Sequence, residues 1–270
     1  MSDESFRKYI ERFFDEVRNE NMRLDLIGRF VVAWTLLSRI PLPKKLWPSE
    51  IPPAGNRTLS LAPLAGGLLG LLVGATVSAV EFLGVGDPAS IWIGIFFYSI
   101  IGWSLHLDGW GDLWDGIGSG RQGEELRSVM KDSRLGAYGA VGLILAFGLW
   151  TSLAGAVRPD RLTAALTVSA ASGRFACCAA ACIGKYPWNS GMGKGWVDSF
   201  TGYDLFVSFI FFLIFMPAAP LRWGFSAAAA LITGFGMAGW MNSRLGGVNG
   251  DVLGAAAVAA EITSLAVFSI

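Results

Sequence analysis

The sequence predicts an all-α fold: a polytopic integral membrane helical bundle of about seven transmembrane helices, preceded by an N-terminal interfacial or re-entrant helix. Three observations predict it. Of the 270 residues, 53% are hydrophobic and only 16% charged, and the mean hydropathy is +0.50. Apolar residues gather in runs at about 59–82, 89–107, 137–157, 161–183, 204–220, 223–242 and 251–270, most of which reach the ~20 residues a helix needs to cross a bilayer. Lys and Arg fall unevenly on the loops at the two ends of those runs.

Taken in order, Phe6, Ile10, Phe13, Phe14 and Val17 recur near helical spacing among Arg and Glu. That predicts an amphipathic extension over residues 1–25, able to lie on a membrane surface; it lacks the early apolar core of a secretory signal. The apolar piece at about 26–40 is interrupted by Arg29 and Arg39 and stops at Pro41-Leu-Pro43, so it is too short to cross. Residues 26–270 read as a single membrane-embedded catalytic domain without internal repeats. The 35 glycines and 11 tryptophans suit close helix packing and interfacial anchoring. The run at 204–220 is the weakest, being short and broken at Pro217. Cys177, Cys178 and Cys182 sit inside an apolar run with no histidine nearby, and read as small packing residues rather than a zinc site.

With seven crossings, the N-terminal segment and the 108–136, 184–203 and 243–250 loops share one side and carry 17 of the 21 Lys and Arg. The positive-inside rule makes that side cytoplasmic, and every polar motif lies on it. The net charge of zero offers no basic field for nucleic acid.

The chemistry begins at His106-Leu-Asp-Gly-Trp-Gly-Asp-Leu-Trp-Asp-Gly. Asp108, Asp112 and Asp115 are spaced i, i+4, i+7 and fall within roughly 60° of one another around a helix. Clustered carboxylates repel one another and call for a cation. Oxygen ligands of this kind suit Mg²⁺, with water and phosphate oxygens completing its shell. The implied chemistry is phosphoryl or nucleotidyl transfer at a membrane surface. Lys131 and Arg134 lie one turn apart and suit phosphate, Arg bidentately, and Asp132 either extends the metal site or orients the arginine. Asp251, behind Gly246-Gly-Val-Asn-Gly, is a metal ligand, an anion-site component or simply a helix N-cap. Lys194 belongs to a glycine-rich loop that could touch phosphate but is no Walker motif. His106, the only histidine, could act as a base. Glu261 is an intramembrane acid whose natural kind of partner is Arg174.

These segments resemble the cobalamin synthase (adenosylcobinamide-GDP ribazoletransferase) family. The likeness runs from Leu37-Ser-Arg-Ile-Pro-Leu-Pro43 to the C-terminus and is most specific at His106 to Gly116, at Met130-Lys-Asp-Ser-Arg-Leu-Gly-Ala-Tyr-Gly139 and at Gly246 to Ala256. The resemblance implies a multi-pass enzyme of the bacterial cytoplasmic (inner) membrane with its site facing the cytoplasm, acting in vitamin B12 biosynthesis. Its partners would be the bilayer, adenosylcobinamide-GDP, and α-ribazole or α-ribazole 5′-phosphate, and homo-oligomerisation stays open. It further implies Mg²⁺ on Asp108, Asp112 and perhaps Asp115, with Lys131 and Arg134 on phosphate oxygens. The acceptor proton would go to Asp115 first, or to His106. A CDP-alcohol phosphotransferase making phospholipid is the nearest alternative enzyme, but it would carry Ala-Arg two residues after the first Asp-Gly. A divalent-cation transporter would place acids at mid-membrane in several spans.

Overall fold

The computed structural model describes residues 20–48, 58–191 and 193–270; the amphipathic segment around Phe6 to Val17 lies outside the described residues. Among these the chain is helical throughout, with no strand. Helix α1 (Glu20–Leu37) is followed by α2 (Ala62–Phe82), α3 (Ala89–Tyr98), a π-helical segment (Ser99–Trp103), α4 (Ser104–Gly118), α5 (Gly123–Met130), α6 (Ala137–Ala156) and α7 (Pro159–Ile183). The short α8 (Lys194–Asp198), α9 (Gly202–Leu213), α10 (Pro220–Leu245) and α11 (Gly250–Ser269) complete it.

Helix α7 is the axis of the bundle, buried from Ala165 through Ala181 and built largely of Ala, Ser, Gly and Cys. Small residues let neighbouring backbones come close where lipid provides no hydrophobic drive. A Cβ at Gly66 or Gly70 of α2 would lie 2.5 or 2.3 Å from a carbonyl oxygen of α7, and one at Gly234 of α10 would lie 2.4 Å from another. The cysteines serve this packing: Cys177 Sγ donates to the Leu253 carbonyl and Cys178 Sγ to that of Leu59.

Among the described residues, six helical stretches are long and apolar enough to cross a membrane: 58–82, 89–118, 137–156, 159–183, 220–245 and 250–269. The run at 204–220 is a 12-residue helix, α9, followed by a 3₁₀ turn at Met216–Ala218, because Pro217 and Pro220 cannot continue it. It nevertheless runs antiparallel along α7. Asp204 and Ser208 lie beside Cys178, Phe209 and Phe212 pack on Phe175, Phe215 sits at Gly67, and Ala218 lines a shallow pocket with Ala164. The stretch of α7 it follows, from Cys182 to Ala164, is about 27 Å long, against the ~30 Å hydrocarbon core of a bilayer.

The stretch read as a loop over 108–136 is helical for most of its length. The apolar run from 89 does not stop at 107: the backbone steps through the π-helical segment and continues as α4 to Gly118. At that step Gly102 abuts the end of α1, where a Cβ would meet the Leu37 carbonyl at 2.3 Å. Helix α1 itself ends ahead of Pro41, with Trp34 Nε1 donating to the Ile40 carbonyl at 2.8 Å.

Candidate active site

Helix α4 carries the three aspartates and is gripped on both flanks. Toward α6, Asp115 Oδ2 accepts the Gly136 N–H and Oδ1 the Gly139 N–H, each at 2.8 Å. The carboxylate thereby caps orphan donors in the first turn of α6. Trp110 Nε1 adds a bond to the Gly142 carbonyl at 2.8 Å. Toward α11, Gly109 lies against Asp251, and a Cβ there would approach both its Cα and its carbonyl oxygen to 2.7 Å.

That contact brings Asp251 into the group. Half-buried Asp112 lies within Coulombic reach of Asp251, Asp108 and Asp115, and Asp251 within reach of Lys131. The N-cap of α11 is Asn249: its Oδ1 accepts the Val252 N–H at 3.0 Å and its Nδ2 donates to Asp251 Oδ2 at 2.7 Å. Asp251 is therefore oriented by the cap and does not form it.

Asp108 and Asp112 line a cleft of about 480 Å³ together with Lys131, Asp132, Ser133 and Arg134. Lys131 and Arg134 thus share one cleft with Asp108 and Asp112. Arg134 forks onto Asp132, with Nε to Oδ1 at 2.9 Å and Nη2 to Oδ2 at 2.6 Å. Bonds from the Arg134 guanidinium and its backbone N–H hold the Asp132 carboxyl down to about 2. The pair is solvent-exposed, so the fork can exchange Asp132 for a phosphate at small cost. Lys131 and Arg127 both sit over the Trp188 ring, at 5.5 and 4.3 Å from its centroid, which ties the 184–193 loop to this face.

Three sequence expectations fall elsewhere. Asp115, first choice as proton acceptor and a metal candidate, has both oxygens committed to backbone N–H groups. His106 is buried beneath the cleft, its Nδ1 3.4 Å from Arg174 Nη2; two residues from Asp108 along a helix is about 200° around it, so the ring faces the core. Lys194 Nζ donates to Asp198 Oδ2 at 2.6 Å within α8, an i, i+4 pair outside the cleft. Sequence reasoning missed Trp188 as the seat for Lys131, and Arg39, which lines a second cleft with Asp108.

Among the described residues, no three His, Cys, Asp or Glu side chains form a ready metal cage. Mg²⁺ commonly takes one or two carboxylates and leaves its other positions to water and phosphate. Asp112 and Asp251 are oxygen donors of the kind such an ion takes. Glu261 is no step of an ion path: it is paired with Arg174, and both accept company from Tyr98, whose hydroxyl donates to Glu261 Oε1 at 3.0 Å.

The Gly109 contact carries a prediction. Gly109→Ala forces α4 and α11 apart, an overpacking that typically costs about 1–3 kcal/mol. Turnover should fall well beyond what the thermal melt reports, because Asp251 moves away from Asp112. Parallel melts and initial rates check this; a variant with lowered stability and full specific activity would place Asp251 outside the site.

Comparison with known proteins bears on this geometry. A family model described as cobalamin-5-phosphate synthase matches residues 29–269. The chain is similar to the adenosylcobinamide-GDP ribazoletransferase of Rhizobium meliloti (strain 1021), at 31% identity over 241 residues covering 85% of this chain and 91% of that protein. It is similar to the Brevibacillus brevis protein of the same name at 30% over 253 residues, covering 89% and 97%. The Klebsiella pneumoniae protein of that name is 29% identical over 244 residues, covering 89% and 98%. No solved structure matches the chain.

Proposed function

The chain belongs to the cobalamin-5-phosphate synthase family, and we propose that it joins adenosylcobinamide-GDP to α-ribazole or its 5′-phosphate, releasing GMP. The observation that carries this reading is the single cleft in which Asp108 and Asp112 of α4 face Lys131 and Arg134. Its lining comes from α4, from the 130–135 stretch at the loop end of the bundle and from Leu143 and Phe147 of α6.

The ribose 3′-oxygen of the acceptor attacks the cobinamide-proximal phosphorus. The new O–P bond forms as the bond from that phosphorus to the GMP oxygen breaks, and GMP leaves with the electron pair. Lys131 and Arg134 hold non-bridging oxygens, Arg134 by releasing Asp132 and turning its fork to phosphate. Asp112 and Asp251 are the residues that would hold Mg²⁺, which when bound supplies positive charge to the diphosphate oxygens. Asp108, exposed and lining both clefts, accepts the hydroxyl proton in place of Asp115 and His106. The half-buried clamp on Asp115 instead ties α4 to α6.

The excess of Lys and Arg on the loops at this end supports a cytoplasm-facing site in a bacterial inner membrane. A CDP-alcohol phosphotransferase reading gains nothing from the structure, and the Arg174–Glu261 pair removes the acid a cation path would use.

The test is incubation of the purified protein with adenosylcobinamide-GDP, α-ribazole and Mg²⁺, with chromatography for cobalamin and GMP. GMP should appear only when donor, acceptor and Mg²⁺ are all present. Acceptor-independent GMP release, or none at all, would reject the reading.

A further inference from the structure

The transfer as derived leaves one cation of the site region unused. A second cleft of about 480 Å³ lies between the end of α1 and the start of α4, lined by Thr35, Ser38, Arg39, Ser99, Ser104 and Asp108 among others. It shares with the first cleft only Ser104 and Asp108. The two open on either side of α4, and Asp108 is the wall between them.

Arg39 is held at its base and free at its tip. Its backbone N–H donates to the Ile101 carbonyl at 2.7 Å, and the neighbouring Leu37 carbonyl abuts Gly102, so the residue is anchored to the π-helical step. Its guanidinium is exposed and makes no ion pair among the described residues. Three of the hydroxyls around it are already spent on backbone carbonyls, Thr35 on Val31, Ser99 on Ile95 and Ser104 on Ser99, while Ser38 Oγ accepts the Ile40 N–H at 3.0 Å. Arg39 is thus the one cationic donor this cleft offers, and Asp108 its one acid.

A transfer between two substrates needs two pockets that meet at the reacting phosphorus. The cleft with Lys131, Arg134 and the carboxylate group suits the diphosphate of the donor. The second is of small-molecule size, fits a nucleoside better than a corrin ring, and presents a planar cation that can grip a phosphate monoester bidentately. We infer that the cleft between α1 and α4 is the acceptor subsite and that Arg39 binds the 5′-phosphate of a phosphorylated acceptor nucleoside. The inference rests on the transfer reading above. A lipid headgroup could supply the same phosphate chemistry to Arg39, since α1 lies at the edge of the bundle, and the experiment separates the two.

Wild type, Arg39→Ala and Arg39→Lys are assayed with α-ribazole and with α-ribazole 5′-phosphate, in detergent and in nanodiscs with or without phosphatidylglycerol. The ratio of kcat/KM for the phosphorylated over the unphosphorylated acceptor should fall about ten- to 150-fold in Arg39→Ala, the worth of a hydrogen bond to a charged group, with a smaller fall in Arg39→Lys. It should do so in all three environments. A ratio unchanged by Arg39→Ala overturns the inference while leaving the transfer reading intact. A loss equal for both acceptors and seen only with phosphatidylglycerol assigns Arg39 to lipid and also overturns it. Binding of α-ribazole 5′-phosphate without donor or Mg²⁺, weakened in Arg39→Ala, reads the subsite independently of turnover; undiminished binding counts against it even if wild type proves inactive.

Discussion

Asp112→Asn is expected to lose at least about a hundredfold in turnover, because removing a ligand forfeits several kcal/mol of charge stabilisation on the diphosphate. It should require more Mg²⁺ for whatever activity remains. The protein without Mg²⁺ should melt slightly higher, since Asp112 sits among Asp251, Asp108 and Asp115 and its neutralisation relieves their mutual repulsion. Neighbouring substitutions should part company with it. Asp108→Asn should lose about 10²–10⁴-fold in rate, the usual reach of a general base, with Mg²⁺ dependence nearly unchanged. Asp115→Asn should instead lose stability, because each bond to Gly136 and Gly139 is charge-assisted and worth about 1.5–3 kcal/mol. Rates against Mg²⁺ concentration, paired with melts with and without Mg²⁺, distinguish the three. An Asp112→Asn protein with wild-type turnover and wild-type Mg²⁺ dependence would falsify the assignment of the metal to α4 and α11.

The largest stability effect is expected in the membrane core. Arg174→Met leaves Glu261 buried and uncompensated, and breaking such a pair typically costs about 3–5 kcal/mol. Glu261→Met should cost a similar amount by stranding the guanidinium. The double variant Arg174→Met/Glu261→Met should recover most of the loss, because two methionines of comparable volume need no partner. Unfolding in detergent monitored by tryptophan fluorescence supplies the cycle. If the double variant is as unstable as the sum of the singles, the two side chains contribute independently and the pair is not what stabilises α7 against α11.

The spans were legible because apolar run length is a nearly one-dimensional signal: the predicted 59–82, 137–157 and 161–183 lie close to the observed 58–82, 137–156 and 159–183. That Glu261 needs a partner of Arg174's kind was also legible, since an intramembrane acid has few affordable partners; the pairing itself comes from the packing of α7 on α11. Helix α4 was harder to read. Its glycines at 109, 111, 116 and 118 look like loop residues in sequence, but Gly109 and Gly116 are there to admit Asp251 and the Leu126 and Met130 side chains. The role of Asp115 was hidden because its partners are backbone N–H groups, which every residue but proline carries. The direction of His106 was available from helical phase alone, two positions from Asp108. Arg39 had no such local signal: its place beside Asp108 arises from the docking of α1 on the π-helical step, a tertiary fact.

The glycine at 116 and the carboxylate at 115 lie side by side on α4, yet they fasten opposite ends of one short stretch. Met130 and Leu126 close on Gly116 before it, and Gly136 and Gly139 are tied to Asp115 after it. The residues from Lys131 to Leu135 therefore form a loop cinched at its neck to the helix that carries the aspartates. Freedom that a longer tether would surrender on gripping phosphate has already been removed by folding, so more of the contact energy appears as affinity. Under the proposed transfer, lengthening this neck, rather than altering any charge on it, would slacken the hold on the donor diphosphate.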